Sequence, residues 1–515
     1  MKTLKFTLND GVHTGNWMKT DNLDLKIVVF FSGVIIMVLE ILGFRILAPY
    51  FGYSVYVSGS LIGIIMTALS LGYFLGGKLA DRKPQKQLLF QLILLADVYL
   101  ILITVFYSDL IEFLAHFGLI YGSILSSVIL FGPSMILLGM VPPFIIKLMT
   151  RDASIVGSIA GNITAIGTIG SIVGTFGATF ILIPKIGSHL TMCVSSTVLL
   201  IIALWGLVFK RKEYMVLVFL VFLLGFSTRQ TDPDIIFQKE TPYNLIKVTQ
   251  ERNGDLILKL NSDLWAQSIY RPDSNLVGGY FDYFNVAPII SDAKEILILG
   301  MGAGTSAKQY LHYFDVNVDA VEIDPGIIET GKMYFGLNES SRLHIFAEDA
   351  RPFLQKSDKK YDVIELDVYH GGIYAPFYVL TKEFFESIHE HLNPNGVMAV
   401  NVICTYEKEK RTLLVNAVGK TLSTVFPSIY KIEMFQNYLL LVTKSPTDLN
   451  MLKGKLRSYD VHPELEEVVS IGARVISELN VPGDSTVLTD DKSPVAEITY
   501  RMMAESLQGP YSAVH

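Results

Sequence analysis

The chain has 515 residues, of which 50% are hydrophobic and 18% are charged, and its formal net charge is −7. Its mean hydropathy of +0.41 is higher than a soluble globular chain can carry on its surface, so part of the chain is expected in lipid. The absence of a basic block outside short loops argues against a nucleic-acid partner. The two cysteines, Cys193 and Cys404, exclude a disulfide framework and a thiolate metal cluster, and no metal site is predicted.

The first half of the chain consists of long apolar runs. A helix needs about 20 apolar residues to cross the hydrocarbon core of a membrane. After a polar tail at residues 1–25, seven such runs are predicted, at 26–49, 55–79, 87–107, 120–148, 154–184, 188–209 and 213–229. An amphipathic stretch from Asp109 to His116 precedes the fourth run. Residues 26–229 are therefore predicted to form a multi-pass helical domain in the cell membrane.

Lysine and arginine gather in alternate loops between these runs. They follow the second, fourth and sixth runs, at Lys78, Arg82, Lys83 and Lys86, then Lys147 and Arg151, then Lys210, Arg211 and Lys212. Loops of this kind are expected in the cytoplasm, together with the amino terminus. Seven crossings would then place the C-terminal half on the opposite side of the membrane.

Polar and small residues stand out within the predicted spans. A charge in hydrocarbon is unfavourable unless it is paired or hydrated, so Glu40 and Arg45 indicate either a polar site in the bundle or an ion pair near a helix end. The fifth run is rich in glycine, and its spacings allow close helix packing at Gly161, Gly167, Gly170, Gly174 and Gly177. Asn162 either bonds a neighbouring helix or lines a cavity.

Two segments of this half resemble a known type of membrane region. They are Glu40-Ile-Leu-Gly-Phe-Arg-Ile-Leu-Ala-Pro-Tyr-Phe-Gly52 and Leu71-Gly-Tyr-Phe-Leu-Gly-Gly-Lys-Leu-Ala-Asp-Arg82. Together with the glycine-rich fifth run, they resemble bacterial and archaeal proteins that fuse several transmembrane helices to a spermidine-synthase-like domain. The resemblance covers essentially the whole chain.

The second half alternates charged and apolar residues as a globular domain does. Residues 244–250 and 256–260 are short alternating runs around Asn253-Gly254, which predicts a β-hairpin. A small β-subdomain is therefore expected over residues 235–290. Next comes Glu295-Ile-Leu-Ile-Leu-Gly-Met-Gly-Ala-Gly-Thr305, a buried strand that leads into a glycine-rich turn and a helix. Gly300, Gly302 and Gly304 would let the backbone approach a nucleotide or nucleoside.

Three later strands are predicted to end in carboxylates. Residues 316–324 form a strand whose Glu322 follows the glycines by about 20 positions, where a carboxylate can accept both ribose hydroxyl protons. Residues 343–350 end with Asp349 and Ala350, beside an expected adenine, and residues 361–367 end with Asp367. The carboxyl ends of parallel strands meet at one edge of an open sheet, so one crevice is predicted there.

The turn lacks the Gly-x-Gly-x-x-Gly pattern of dinucleotide sites, which favours an adenosyl-sulfonium compound over NAD. The order of motifs over residues 235–445 resembles the aminopropyltransferases, spermidine synthase and its relatives, with a class I S-adenosylmethionine-dependent methyltransferase-like (Rossmann-like) α/β fold. The resemblance implies that Asn244 and Glu322 contact thioadenosine, that Asp349 and Ala350 contact adenine, and that Asp367 accepts the proton of the attacking amine.

The acceptor side of the predicted crevice combines carboxylate and aromatic side chains. Tyr280, Asp282 and Tyr369 are expected to hold a cationic amine, because aromatic faces attract alkylammonium groups. The chain departs from the family pattern at three positions, with Ala303 and His370 in place of acidic residues and Phe281 in place of a histidine. His370 is either a general base or a surface residue at a loop start, and putrescine specificity is open.

The leading hypothesis is a membrane-bound transferase that moves an aminopropyl group from decarboxylated S-adenosylmethionine to a polyamine such as putrescine. One alternative is an S-adenosylmethionine-dependent methyltransferase, and another is a polyamine or nucleoside sensor or transporter, which Glu40 and Arg45 favour. The expected partners are the amine acceptor and the lipid bilayer, and the resemblance is compatible with a homodimer. No cofactor is expected to be bound permanently.

The predicted domain order is completed by a spermidine-synthase-like nucleotide-binding domain at residues 291–450 and a C-terminal extension at 451–515. The sidedness of the membrane domain conflicts with this chemistry, since an adenosyl-sulfonium donor is made in the cytosol. Either the short seventh run or the glycine-rich fifth run does not cross the membrane, or the reaction is extracytoplasmic.

Overall fold

The computed structural model of the chain describes residues 22–52, 54–207, 233–261, 265–369, 371, 374–405 and 410–503. Its N-terminal half is a bundle of helices: α1 Leu23–Phe51, α2 Val55–Arg82, α3 Lys86–Ala115, α4 Leu119–Gly139, α5 Val141–Met149, α6 Val156–Gly177 and α7 Ile183–Leu207. A π-helical segment, Ala178–Leu182, joins α6 to α7. Gly187 has φ 79° and ψ 171°, so the helical path breaks there.

These helices match the first six predicted runs, and the seventh, 213–229, lies outside the described residues. Five continuous helical stretches of the described chain are long and apolar enough to cross a membrane, the last of them running from Ala153 to Leu207. The predicted amphipathic stretch from Asp109 to His116 forms the end of α3, which continues from the third run without a break. Pro142 and Pro143 lie in the first turn of α5, where their missing N–H groups are tolerated.

Glycines bring α1 and α6 into close contact. A Cβ added to Gly170 would lie 2.1 Å from the carbonyl oxygen of Phe30, and one added to Gly174 would lie 2.3 Å from that of Val34. Gly170 faces Phe30 and Gly174 faces Val34, so the residue numbers increase in the same direction along both helices. The two helices therefore run parallel. The predicted role of the glycine-rich run in close helix packing is confirmed.

The bundle contacts the C-terminal half through the end of α1 and the break in α7. The Arg45 guanidinium donates to the carbonyl oxygens of Thr241 (2.5 Å) and Pro242 (3.1 Å) and lies 3.3 Å from the Glu240 carboxylate. The backbone N–H of Ser188 donates to the same carboxylate (2.7 Å). Arg45 therefore pairs across the two halves of the chain, which agrees with an ion pair near a helix end.

A four-stranded antiparallel sheet opens the C-terminal half, in the order β1 Ile235–Glu240, β2 Leu245–Gln250, β3 Leu256–Leu260 and β4 Ala266–Tyr270. The predicted hairpin between β2 and β3 is confirmed. Gly254 has φ +88°, and the Asn253 side chain accepts a hydrogen bond from the Asp255 N–H (3.0 Å), which closes the turn.

The main sheet has eight strands in the order β12-β10-β11-β9-β8-β5-β6-β7. The strands are β5 Glu295–Leu299, β6 Asn317–Val321, β7 Leu343–Phe346, β8 Tyr361–Leu366, β9 Leu392–Ile403, β10 Ser428–Glu433, β11 Asn437–Thr443 and β12 Ser477–Glu478. The pairs formed within the group β5 to β9 are all parallel. The pairs that involve β10, β11 or β12 are antiparallel. The predicted Rossmann-like α/β fold of the C-terminal part is confirmed.

Helices cover both faces of this sheet: α8 Tyr280–Tyr283, α9 Val286–Ser291, α10 Thr305–Tyr313, α11 Pro325–Tyr334, α12 Ala350–Lys356, α13 Lys382–His391, α14 Leu413–Leu422, α15 Leu449–Ser458, α16 Glu466–Val475 and α17 Val495–Met503. Ile296 and Ile298 of β5 pack into one core, and Leu297 and Leu299 pack into the other. A strand buried on both faces reads as a continuous apolar run, as this one does.

We expect Gly170→Ala to destabilise the bundle by about 1–3 kcal/mol, because the new methyl group must push α1 away from α6. Gly161→Ala is the matched control on the same helix, since nothing lies within 4 Å of its added Cβ and alanine favours helix. Thermal unfolding of the full chain in detergent measures both variants. Equal melting temperatures for the two variants would contradict the described helix contact.

Candidate active site

The candidate site lies where the order of the parallel strands reverses. From β5 the chain proceeds outward through β6 and β7, then returns to β8 on the other side of β5. Ligands of open α/β sheets bind in the crevice at such a switch point, beyond the carboxyl ends of the strands. An open cleft with about 810 Å³ of unoccupied space lies there.

The glycine turn after β5 forms the floor of this cleft. Gly300, Gly302 and Gly304 have φ angles of +89°, +59° and +92°, which favour glycine. A Cβ on Gly300 would lie 2.2 Å from the carbonyl oxygen of Asp367, so the turn packs against the backbone that follows β8. Gly300 and Gly302 line the cleft, whereas Gly304 lies at the start of α10 and is not among the lining residues.

Glu322 follows β6 and faces the glycine turn. One carboxylate oxygen accepts a hydrogen bond from the Gly302 N–H (3.0 Å), and the other accepts one from the Asp324 N–H (3.0 Å). Burial raises the pKa of Glu322 to about 7, and the backbone donors oppose this rise. A buried carboxylate beside a glycine turn can accept further hydrogen bonds from a pair of hydroxyl groups.

Asn244 lines the cleft from the front sheet and is held by its neighbours. Its amide nitrogen donates to Asp324 (3.0 Å), and its amide oxygen accepts from the Asn261 side chain (2.8 Å). Thr241 also donates to Asp324 (2.6 Å). Asp324 thus ties the start of the front sheet to the end of β6, next to Glu322.

Asp349 and Ala350 line the cleft after β7, where α12 begins. One oxygen of Asp349 accepts from the Arg351 N–H (2.8 Å) and so caps α12. The other accepts from the Tyr378 hydroxyl (2.7 Å), and Tyr378 also lines the cleft. The carboxylate is therefore fixed at the edge of the site.

Asp367 lies at the end of β8 between two hydrogen-bond donors. The Asn401 amide donates to one oxygen (2.9 Å) and the Tyr280 hydroxyl donates to the other (3.0 Å). Burial raises the pKa of Asp367 to about 6, and the two donors act in the opposite direction. Burial and the nearby Asp367 charge raise the pKa of Tyr280 well above its ordinary value, so Tyr280 stays a donor at neutral pH.

Two aromatic side chains stand beside Asp367. Tyr369 lines the cleft, and its hydroxyl donates to the Asn401 carbonyl oxygen (2.8 Å) and accepts from the Ile403 N–H (3.1 Å). Phe281 also lines the cleft and stacks on Tyr280 with ring centroids 4.1 Å apart. The surroundings of the carboxylate are thus mainly aromatic.

The structure does not support the prediction that Asp282 contacts a substrate. Its two oxygens accept hydrogen bonds from the N–H groups of Val277 (3.0 Å) and Gly278 (2.8 Å) and from the Gln309 side chain (2.8 Å). It is buried below the loop and is not among the lining residues. The other predicted acceptor residue, His370, lies outside the described residues.

Sequence reasoning missed three polar residues of the site. Asn401, on β9, orients Asp367 and is itself held by the Asn437 amide (2.8 Å). Ser268 accepts from the Ala303 N–H (2.9 Å) and fixes the glycine turn against β4. Glu365, two residues before Asp367, is buried and accepts hydrogen bonds from the hydroxyl groups of Ser306 (2.7 Å) and Tyr310 (2.5 Å). An acidic residue inside the apolar run of β8 was the available signal for Glu365.

Among the residues that the structure describes, there is no group of three His, Cys, Asp or Glu side chains that could hold a metal ion. The sheet order, the glycine turn after β5 and the acidic residue after β6 define a Rossmann-like α/β domain of the class I S-adenosylmethionine-dependent methyltransferase type.

Comparison with known proteins narrows this class. Residues 285–452 match the model of the spermine/spermidine synthase domain. A probable polyamine aminopropyl transferase of Bifidobacterium longum is 32% identical over 315 residues, which are 57% of this chain and 68% of that protein. The chain therefore belongs to the spermidine-synthase-like polyamine aminopropyltransferase family, and it is a transferase.

Two further similarities differ in extent. The polyamine aminopropyltransferase 2 of Aquifex aeolicus is 24% identical over 465 residues, which are 84% of this chain and 90% of that protein, so the alignment extends into the helical half. A crystal structure of a probable spermidine synthase from Corynebacterium glutamicum matches 49% of this chain and 98% of that chain, with 20% identity and a TM-score of 0.38.

An alanine with a left-handed backbone conformation is unfavourable by roughly 1–2 kcal/mol. We expect Gly300→Ala to destabilise the chain by more than this, because the new methyl group also collides with the Asp367 backbone. Gly278→Ala separates the two effects, since Gly278 has φ +90° but nothing within 4 Å of its added Cβ. Thermal unfolding of the full chain in detergent compares them. A melting temperature for Gly300→Ala at or above that of Gly278→Ala would disprove the close approach.

Proposed function

We propose that the chain transfers the aminopropyl group of decarboxylated S-adenosylmethionine to an amine acceptor, with Asp367 as the base, while its helical half spans a membrane. The observation that carries the proposal is the convergence of Gly300, Glu322, Asp349 and Asp367 on one cleft. Membership of the polyamine aminopropyltransferase family supports the donor, and the apolar helices support the membrane location.

The donor would lie across the carboxyl ends of β5, β6 and β7. Glu322 would accept the two ribose hydroxyl protons, and the glycine turn leaves space for the ribose at that point. Asp349 would accept the adenine amino proton, and the Ala350 N–H at the start of α12 would donate to the ring. Asn244 would contact the thioadenosine part from the front sheet. The sulfonium would then point toward Asp367.

At Asp367 an uncharged acceptor nitrogen attacks the aminopropyl carbon attached to the sulfonium. The new C–N bond forms as the C–S bond breaks, methylthioadenosine leaves with the sulfur electron pair, and the ammonium proton of the product passes to Asp367. Asn401 and Tyr280 keep the carboxylate oriented, and Phe281 and Tyr369 exclude water beside it. Putrescine belongs to this acceptor class, with Tyr369 as its expected aromatic contact, whereas Tyr280, which is not among the lining residues, would act through Asp367.

The donor assay distinguishes this reaction from its alternatives. With decarboxylated S-adenosylmethionine and a set of amines, the purified full chain should release methylthioadenosine, and Asp367→Asn should lower turnover by about 100-fold or more. Asp362→Asn is the control that should keep turnover. Asp362 lies on the same strand, but its carboxylate accepts hydrogen bonds from the N–H groups of Lys294 and Glu295. Adenosylhomocysteine formed from S-adenosylmethionine would instead indicate a methyltransferase, and the absence of both products a binding module.

The pH dependence follows from the ionisation of Asp367. The base is active only when ionised, so kcat/KM should rise with pH up to about 6, the pKa that burial gives this carboxyl. Tyr280→Phe removes a donor that favours the ionised form, so the acidic limb should move to higher pH. Tyr283→Phe, on the same short helix, should leave the limb in place. An acidic limb that stays in place or moves to lower pH in Tyr280→Phe would refute the role of Asp367.

A further inference from the structure

One end of the helical bundle carries the C-terminal half of the chain. Arg45 and Ser188 contact Glu240 there. Gly52, just after α1, lies against the ring of Tyr374, and Gly118, just before α4, lies beside the hydroxyl of Tyr500. We call this end, formed by the loops that follow α1 and α3 and by the break at Gly187, the domain end.

The opposite end is formed by the start of α1 and by the α2–α3 and α5–α6 loops. The Lys86 ammonium pairs with Asp24, which joins the starts of α3 and α1, and Lys147 pairs with Asp81 (2.7 Å), which joins the ends of α5 and α2. The 28 residues of α2 separate the two ends by about 42 Å, at about 1.5 Å per residue, which exceeds the thickness of a hydrocarbon core.

Basic residues are concentrated at this second end, which we call the basic end. It carries Lys26, Lys78, Arg82, Lys83, Lys86, Lys147 and Arg151. The bundle contributes Arg45 and Lys185 to the domain end, where Arg45 is bound to Glu240, and it also contributes the acidic residues Asp109 and Glu112. The two ends of the bundle therefore differ strongly in their content of lysine and arginine.

Contacts between helices give the directions in which α6 and α7 run between the two ends of the bundle. Because α6 lies parallel to α1 from Gly170 to Gly174, it runs from the basic end to the domain end. Gly206, near the end of α7, packs on Phe90 at the start of α3, so α7 returns to the basic end. Residue 207 therefore lies at the basic end, whereas β1, whose Glu240 contacts Ser188, lies at the domain end.

We propose that the basic end binds the anionic lipid headgroups of the cytoplasmic leaflet, so that the C-terminal half, with its cleft, lies on the extracytoplasmic face. Anionic headgroups of that leaflet attract lysine and arginine next to membrane helices, and loops rich in these residues stay in the cytoplasm. The inference rests on the proposed membrane location but not on the proposed reaction. Any ligand of the cleft would then reach it from the extracytoplasmic side.

Serine-to-cysteine variants test the orientation, because Cys193 and Cys404 are buried and give a low background. Ser154→Cys marks the basic end, and Ser458→Cys marks the C-terminal half, both at exposed positions. A membrane-impermeant maleimide is applied to right-side-out and to inverted membrane vesicles containing the full chain. We expect Ser458→Cys to react only in right-side-out vesicles and Ser154→Cys only in inverted ones.

The reverse pattern would overturn the inference, as would reaction of both cysteines from one side. The donor assay in detergent requires no membrane, so an inactive enzyme with the expected labelling would refute only the proposed reaction. The lipid contact has its own test, in which Arg82→Gln, Lys83→Gln, Lys147→Gln and Arg151→Gln are combined. Labelling of Ser458→Cys from both sides of the membrane is expected in this background, and labelling confined to right-side-out vesicles would show that the basic end does not set the orientation.

Discussion

The site depends on a close approach of two backbones. The turn after β5 and the residue after β8 come together at Gly300 and Asp367, where any side chain on Gly300 would collide with the Asp367 carbonyl oxygen. The parallel pairing of β5 with β8 brings the two strand ends side by side. The glycine turn then holds Glu322 through the Gly302 N–H, while Asn401 and Tyr280 hold Asp367. The glycine turn is thus in direct contact with both Glu322 and the backbone of Asp367, so the positions of the two carboxylates are linked.

Much of this arrangement could be predicted from the sequence because its signals are local. The apolar run at 295–299 and the glycines after it specify a buried strand and a turn with positive φ, and acidic residues after three further apolar runs mark strand ends. The general geometry of parallel sheets then brings Glu322, Asp349 and Asp367 to one edge. The first six apolar runs likewise predict the helices, because the thickness of the hydrocarbon core sets the length of an apolar helix that can cross it.

The contacts that the sequence did not predict are set by distant partners. Nothing in the sequence marks Asn401, because it is the pairing of β9 with β8 that places its side chain next to Asp367. Asp282 has the residue type of a substrate ligand, but Gln309 and two backbone N–H groups occupy its oxygens. Glu240 lies only four residues before Asn244, which lines the cleft, yet its carboxylate binds Arg45 and Ser188 of the bundle. Such pairings require the three-dimensional packing, which no local pattern contains.

The contact at Glu240 links the helical half to the side of the cleft that Asn244 and Glu322 line. Arg45 holds the Thr241 carbonyl oxygen, the Thr241 hydroxyl donates to Asp324, and Asp324 accepts from Asn244, which lines the cleft. Each step is a hydrogen bond between buried or half-buried groups, and leaving such a group unpaired is unfavourable by about 1–3 kcal/mol. The end of α1 therefore restrains Asn244 through a continuous series of contacts. A tilt of α1 would shift the front sheet relative to Glu322, so the bundle acts as part of the support of the site.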